Sequence, residues 1–127
     1  MNEFKSRGGF IRIVHATRYS MQGFAHALRY ESAFRQELCV AVPVAIALWF
    51  LPVSAERKIL LLGSMVLVLI AELLNSAVEA AVDRVSLERH PLAGRAKDLG
   101  SAAVMLAILL MIATWAVLAG PALYTLL

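Results

Sequence analysis

Four polar side chains, Glu72, Asn75, Glu79 and Asp83, punctuate a stretch that is otherwise fit for lipid. At about 100° per residue they fall within roughly 80° of one another on a helix, so a single stripe carries all four. A carboxylate near the bilayer centre costs at least ~2.5–3.5 kcal/mol, so intramembrane acids face protein or water and mark functional positions. Their depths differ: Glu79 lies ~6 Å beyond Asp83 along the axis, and Glu72 another ~10.5 Å beyond Glu79. This spacing suits an acidic cavity fed with water from one membrane face. The plainer use of such acids is to pair with Arg or Lys and pin helices together. That fits Glu79 and Asp83 better than Glu72, because no basic residue in the chain lies at the depth of Glu72.

Two other groups can join the stripe. Glu31, Arg35, Gln36 and Glu37 precede the first apolar run, with Glu31 and Arg35 spaced as i, i+4 neighbours. Glu31 and Glu79, two carboxylates from different helices at one interface, would make a Mg²⁺ site with phosphates filling the other positions. Glu37 reads as part of a solvated helix end. The run Gly94-Arg95-Ala96-Lys97-Asp98-Leu99-Gly100-Ser101 offers Lys97 to phosphate. Asp98 and Ser101 suit the N-terminal cap of a helix starting there, and Gly100 and Ser101 are small enough for close helix approach. There is no GxxxxGK[ST] loop, no HRD or DFG set and no HExxH. His15, His26 and His90 are dispersed, and the single Cys39 can form neither an intrachain disulfide nor a zinc set.

The elements that must position these groups follow from composition and period. The chain has 127 residues, 61% hydrophobic, with a mean hydropathy of +0.75, against ~45–50% apolar for a soluble domain. A bilayer must be its solvent, and 1–127 reads as one all-α membrane domain. Over 10–30 the side chains of Phe10, Ile13, Val14, Met21, Phe24, Ala25 and Leu28 share one helical side, while Arg12, His15, Tyr19, Gln22, His26 and Arg29 share the other. That is an amphipathic helix for the membrane surface. Transmembrane helices are expected over 35–51, 59–83 and 99–119. In the first, the apolar run 38–51 reaches only ~21 Å and contains Pro43, so it crosses only if its polar flank snorkels or the bilayer thins, and a re-entrant segment is the alternative. Residues 83–98 read as a polar loop, and Gly120-Pro121 as the end of the third span. If all three cross, ten basic residues lie on one side and two, Arg57 and Lys58, on the other. The N-terminus and the 83–98 loop are then cytoplasmic and the C-terminus outside.

The run Glu72-x-x-Asn75-Ser76-Ala77-x-Glu79-x-x-x-Asp83, followed by Gly94-Arg95-Ala96-Lys97-Asp98-x-Gly100-Ser101-Ala102, resembles the prokaryotic diacylglycerol kinases. So do Gly9-Phe10-x-Arg12 and Glu31-x-Ala33-Phe34-Arg35-Gln36-Glu37. The resemblance covers nearly the whole chain. It implies a small multi-pass kinase of the bacterial inner membrane, a homotrimeric helix bundle with shared active sites. It implies Mg²⁺-dependent transfer of phosphate from ATP to 1,2-diacylglycerol, in phospholipid recycling, with lipid, ATP and membrane as partners and no nucleic acid. Carried onto matching positions, Glu72 is the general base and Glu31 and Glu79 hold the metal. Arg12, Tyr19, Lys97 and Asp98 contact the nucleotide, over which Glu88, Arg89 and His90 close. Arg35, Asn75 and Ser101 join Glu72 on the lipid side. The surface-helix positions His15, Arg18, Met21 and Gln22 depart from the best-known members. Undecaprenol kinases share the core motifs, and an acidic stripe alone would also suit a proton or cation pathway.

Overall fold

The computed structural model describes residues 8–85 and 90–126, and all the regular structure within them is helical. In chain order it comprises α1 (Gly8–Tyr30), α2 (Ser32–Trp49), α3 (Ala55–Val85), α4 (Pro91–Leu118) and α5 (Gly120–Leu126). Three of these, α2, α3 and α4, are long and apolar enough to cross a membrane.

α2 takes in the polar residues ahead of the apolar run. Its 18 residues reach ~27 Å, close to the ~30 Å hydrocarbon thickness. Pro43 lies inside it and supplies no N–H to the Cys39 carbonyl one turn earlier. α3 and α4, with 31 and 28 residues, run to ~46 and ~42 Å. Both therefore extend past the hydrocarbon.

The start of α4 corrects the expected 83–98 loop. Pro91 stands at the first helical position, where its missing N–H costs nothing, and His90 Nδ1 accepts a hydrogen bond from the Leu92 N–H at 3.1 Å. Residues 91–98 are helical, so Asp98 and Ser101 sit two turns or more inside α4 and cap nothing.

α3 and α4 form the main helix pair, and they run antiparallel. Asp83 meets Lys97, Asn75 meets Gly100, Val68 and Ala71 cluster with Ala107, and Leu61 clusters with Ala119. The packed face of α3 has two halves. Leu61, Ser64, Met65, Val68 and Ala71 are buried on it. At helical spacing, Glu72, Asn75, Glu79 and Asp83 continue the same sector of about 120°. One face is thus apolar toward one membrane side and polar toward the other.

Lys58, at the start of α3, donates to the Trp49 carbonyl at 2.9 Å and lies over the Trp49 ring. It ties the end of α2 to α3. α1 buries only Ala27, while Phe10 and Ile13 on its apolar side stay 79% and 65% exposed. That is the state of a helix whose apolar side is meant for lipid.

Candidate active site

The polar half of the α3 face is approached from α2 and α4, and is flanked by the junction of α1 and α2. From α2 comes Glu37. Its carboxyl group faces that of Glu72 within hydrogen-bonding reach. Both groups are half-buried, and Glu37 Oε2 is a buried oxygen with no donor. Two ionised carboxylates only accept and repel, so a facing pair is held by one shared proton or by a donor that enters between them. Glu37 is therefore no solvated helix end. The missed signal is its spacing to Phe34 and Leu48, both buried, and to half-buried Ala41; all four fall on one face of α2. A cavity of about 250 Å³ opens beside this pair, lined by Gln36, Glu37, Val40, Met65, Leu69 and Met111 among others.

From α4 comes Lys97, whose Nζ lies 2.8 Å from Asp83 Oδ1, with both side chains about half exposed (44% and 50%). The pairing use anticipated for Asp83 is the observed one. One turn deeper, Asn75 Nδ2 donates to Glu79 Oε1 at 3.3 Å, while Asn75 Oδ1 is buried against α4 without a donor.

From the junction of α1 and α2 comes Glu31. It holds the N-cap position of α2 in extended conformation, yet its side chain makes no capping bond. Instead it lines a cleft of about 580 Å³ with Ser20, His26, Tyr30, Ser76 and Ala80 among others. The cleft meets α3 at Leu73, Ser76, Ala77 and Ala80, at the depth of Glu79 but on the neighbouring sector of the helix, and Glu79 does not line it. The junction is held by Arg35, whose Nη1 donates to the Leu28 and Arg29 carbonyls at 3.1 and 2.8 Å. This is the bond a cation makes at a helix C-terminus, and it replaces the Glu31 pairing that the i, i+4 spacing offered.

Other expected site residues stand apart within one chain. Arg12 and Tyr19 are exposed on α1, where Tyr19 stacks on His15 at 6.5 Å. Asp98 and Ser101 are exposed on α4. His90 caps α4, and Glu88 and Arg89 lie outside the described residues. Among the described residues, no three His, Cys, Asp or Glu side chains converge as a ready metal cage.

The profile of the family described as prokaryotic diacylglycerol kinase matches residues 18–119. The diacylglycerol kinase of Escherichia coli K12 is 51% identical over 111 residues, which cover 87% of this chain and 90% of that protein. The diacylglycerol kinase of Pseudomonas aeruginosa is 50% identical over 113 residues, 89% and 92% of the two chains. That of Helicobacter pylori J99 is 36% identical over 118 residues, 91% and 92%. The matched span holds the acidic stripe, Glu31, Glu37 and Lys97 together, and the chain belongs to the prokaryotic diacylglycerol kinase family.

Proposed function

We propose that this chain transfers the terminal phosphate of ATP to the free hydroxyl of 1,2-diacylglycerol, giving phosphatidate and ADP. The observation that carries the reading is the facing pair Glu37 and Glu72, with an unpartnered buried oxygen, set within membrane helices. A lipid alcohol is a donor that such a pair, with its unpartnered Glu37 oxygen, can accept from. Its hydroxyl reaches the interface while its tails stay in hydrocarbon, so it approaches Glu72 from the membrane side.

In this reading Glu72 takes the hydroxyl proton and Glu37 fixes the direction in which that hydroxyl points. The alkoxide oxygen attacks the γ-phosphorus, and the bond to the ADP oxygen breaks. Such transfers need positioning and charge neutralisation more than covalent help. Lys97 supplies positive charge at the polar mouth, where Asp83 holds its ammonium in place. Glu31 and Glu79 offer carboxylate oxygens at one level of α3, a donor chemistry that fits Mg²⁺. Bound there, Mg²⁺ would neutralise the phosphate charge.

Arg12, Tyr19, Asp98 and Ser101 are exposed in the single chain. This supports a homotrimer in which a neighbouring copy completes each site. With ten of twelve basic residues on one side, the polar mouth faces the cytoplasm of a bacterial inner membrane. The test is a radiolabelled-ATP assay in mixed micelles, offering diacylglycerol and undecaprenol side by side. Label in phosphatidate supports the reading. Label only in undecaprenyl phosphate moves the substrate. No transfer, with proton flux across liposomes, replaces the kinase by a conducting pathway.

A further inference from the structure

Gly100 differs from the other glycines. A Cβ added at Gly9, Gly23, Gly63, Gly94 or Gly120 would meet nothing within 4 Å. A Cβ added at Gly100 would collide with Asn75 Oδ1, and would stand 3.4 Å from Cγ and 3.8 Å from Cα of the same residue. The Asn75 amide therefore occupies the space that any other residue at position 100 would fill.

That amide is also directed. Glu79 accepts and cannot donate when ionised, so the NH₂ end of Asn75 faces it and the oxygen end faces α4. The oxygen is buried and without a donor. A buried acceptor left so is costly, and the bond to Glu79 keeps the amide in place against that cost. The close wall at Gly100 and the carboxylate of Glu79 together hold it.

We propose that Gly100 is a positioning residue: it admits the Asn75 amide between α3 and α4, and Asn75 in turn fixes the Glu79 carboxylate toward a divalent cation. The proposal rests on the reading of Glu79 as a cation ligand. One oxygen of Glu79 is held by Asn75 at 3.3 Å, and the other is then turned to a single direction. Groups that hydrogen-bond a ligating carboxylate typically change metal affinity 10–100-fold, roughly, when removed. Substituting Gly100 by Ala does not break the helix, since Ala is the better helix former. The colliding atom is the end of a short side chain, which can swing out of the way. Folding is kept and the Asn75–Glu79 bond is lost.

The test is a double-mutant cycle on purified full-length protein with Gly100→Ala, Asn75→Ala and both. One readout is Mn²⁺ binding by electron paramagnetic resonance in the presence of a non-hydrolysable ATP analogue. The other is the Mg²⁺ requirement for lipid phosphorylation at saturating ATP. Each single variant should weaken Mn²⁺ binding and raise the Mg²⁺ requirement, by roughly 10–100-fold. The double variant should equal Asn75→Ala, because with the amide gone a Cβ at position 100 meets no oxygen. Additive losses, or a Gly100→Ala protein that binds Mn²⁺ like the wild type, overturn the proposal. So does undiminished Mn²⁺ binding by Asn75→Ala, which decides the matter even if Gly100→Ala fails to fold. A wild type that transfers no phosphate yet shows the cycle in Mn²⁺ binding would sink the kinase reading and leave the positioning role standing.

Discussion

Lys97 Nζ and Asp83 Oδ1 lie 2.8 Å apart and join the start of α4 to the end of α3. The pair is half exposed, so it positions a charge more than it stabilises the fold. Asp83→Asn should leave thermal stability in detergent essentially unchanged and should lower turnover only modestly. Lys97→Met removes the charge itself and should lower kcat/KM roughly 10²–10³-fold, as loss of one transition-state donor does. Steady-state kinetics on the two variants checks the contrast.

Glu72 and Glu37 face one another at the deep end of the stripe, away from the proposed nucleotide mouth. Glu72→Gln should lower kcat roughly 10²–10⁴-fold, the range for a lost general base. Its KM for MgATP should stay near that of the wild type. Glu37→Ala should show the same split with a smaller fall in kcat, because on the proposed reaction it orients the hydroxyl and takes no proton. A rise in the KM for MgATP in either variant would place the residue on the nucleotide instead.

Arg35 holds two carbonyls at the end of α1. Both bonds come from the one nitrogen Nη1, so Arg35→Met, which removes every donor, should free the junction beside Glu31. With a net value of about 1 kcal/mol for each of the two bonds, the last turn of α1 should exchange its amide hydrogens roughly 30-fold faster. α3 should be unaffected in the same hydrogen-exchange measurement.

Leu61 is fully buried in a cluster with Leu48 and Ala119. In water Leu→Ala in a core costs about 2.7–5 kcal/mol. Lipid is as apolar as leucine, so a membrane helix loses contacts and gains no water exposure. Leu61→Ala should therefore cost about 2 kcal/mol or less in reversible unfolding by denaturing detergent. Activity should be retained where the protein stays folded.

Hydropathy and period made the helices and the acidic stripe legible, because both depend on side chains one residue at a time. Three features needed the fold. The helical start at Pro91 was hidden by polar residues; its signals are the proline at a first position and His90 before it. Glu37 sat in a polar triplet that reads as solvent-facing. Only the packing of Phe34 and Leu48 shows that it turns inward. Arg35 had an obvious acidic neighbour in sequence, yet the bend between α1 and α2 offered it two unpaired carbonyls instead. In each case the deciding partner comes from the course of the backbone, which spacing alone does not give.

The two halves of the α3 face have a consequence for size. A water-soluble kinase must close a lobe or loop over its substrates, or water takes the phosphate in place of the acceptor. On the proposed reaction, the acceptor oxygen arrives at Glu72 from a medium that holds almost no competing nucleophile. On the acceptor side the surrounding hydrocarbon then does the work of a closing lobe, and a chain of 127 residues needs cover only over the nucleotide.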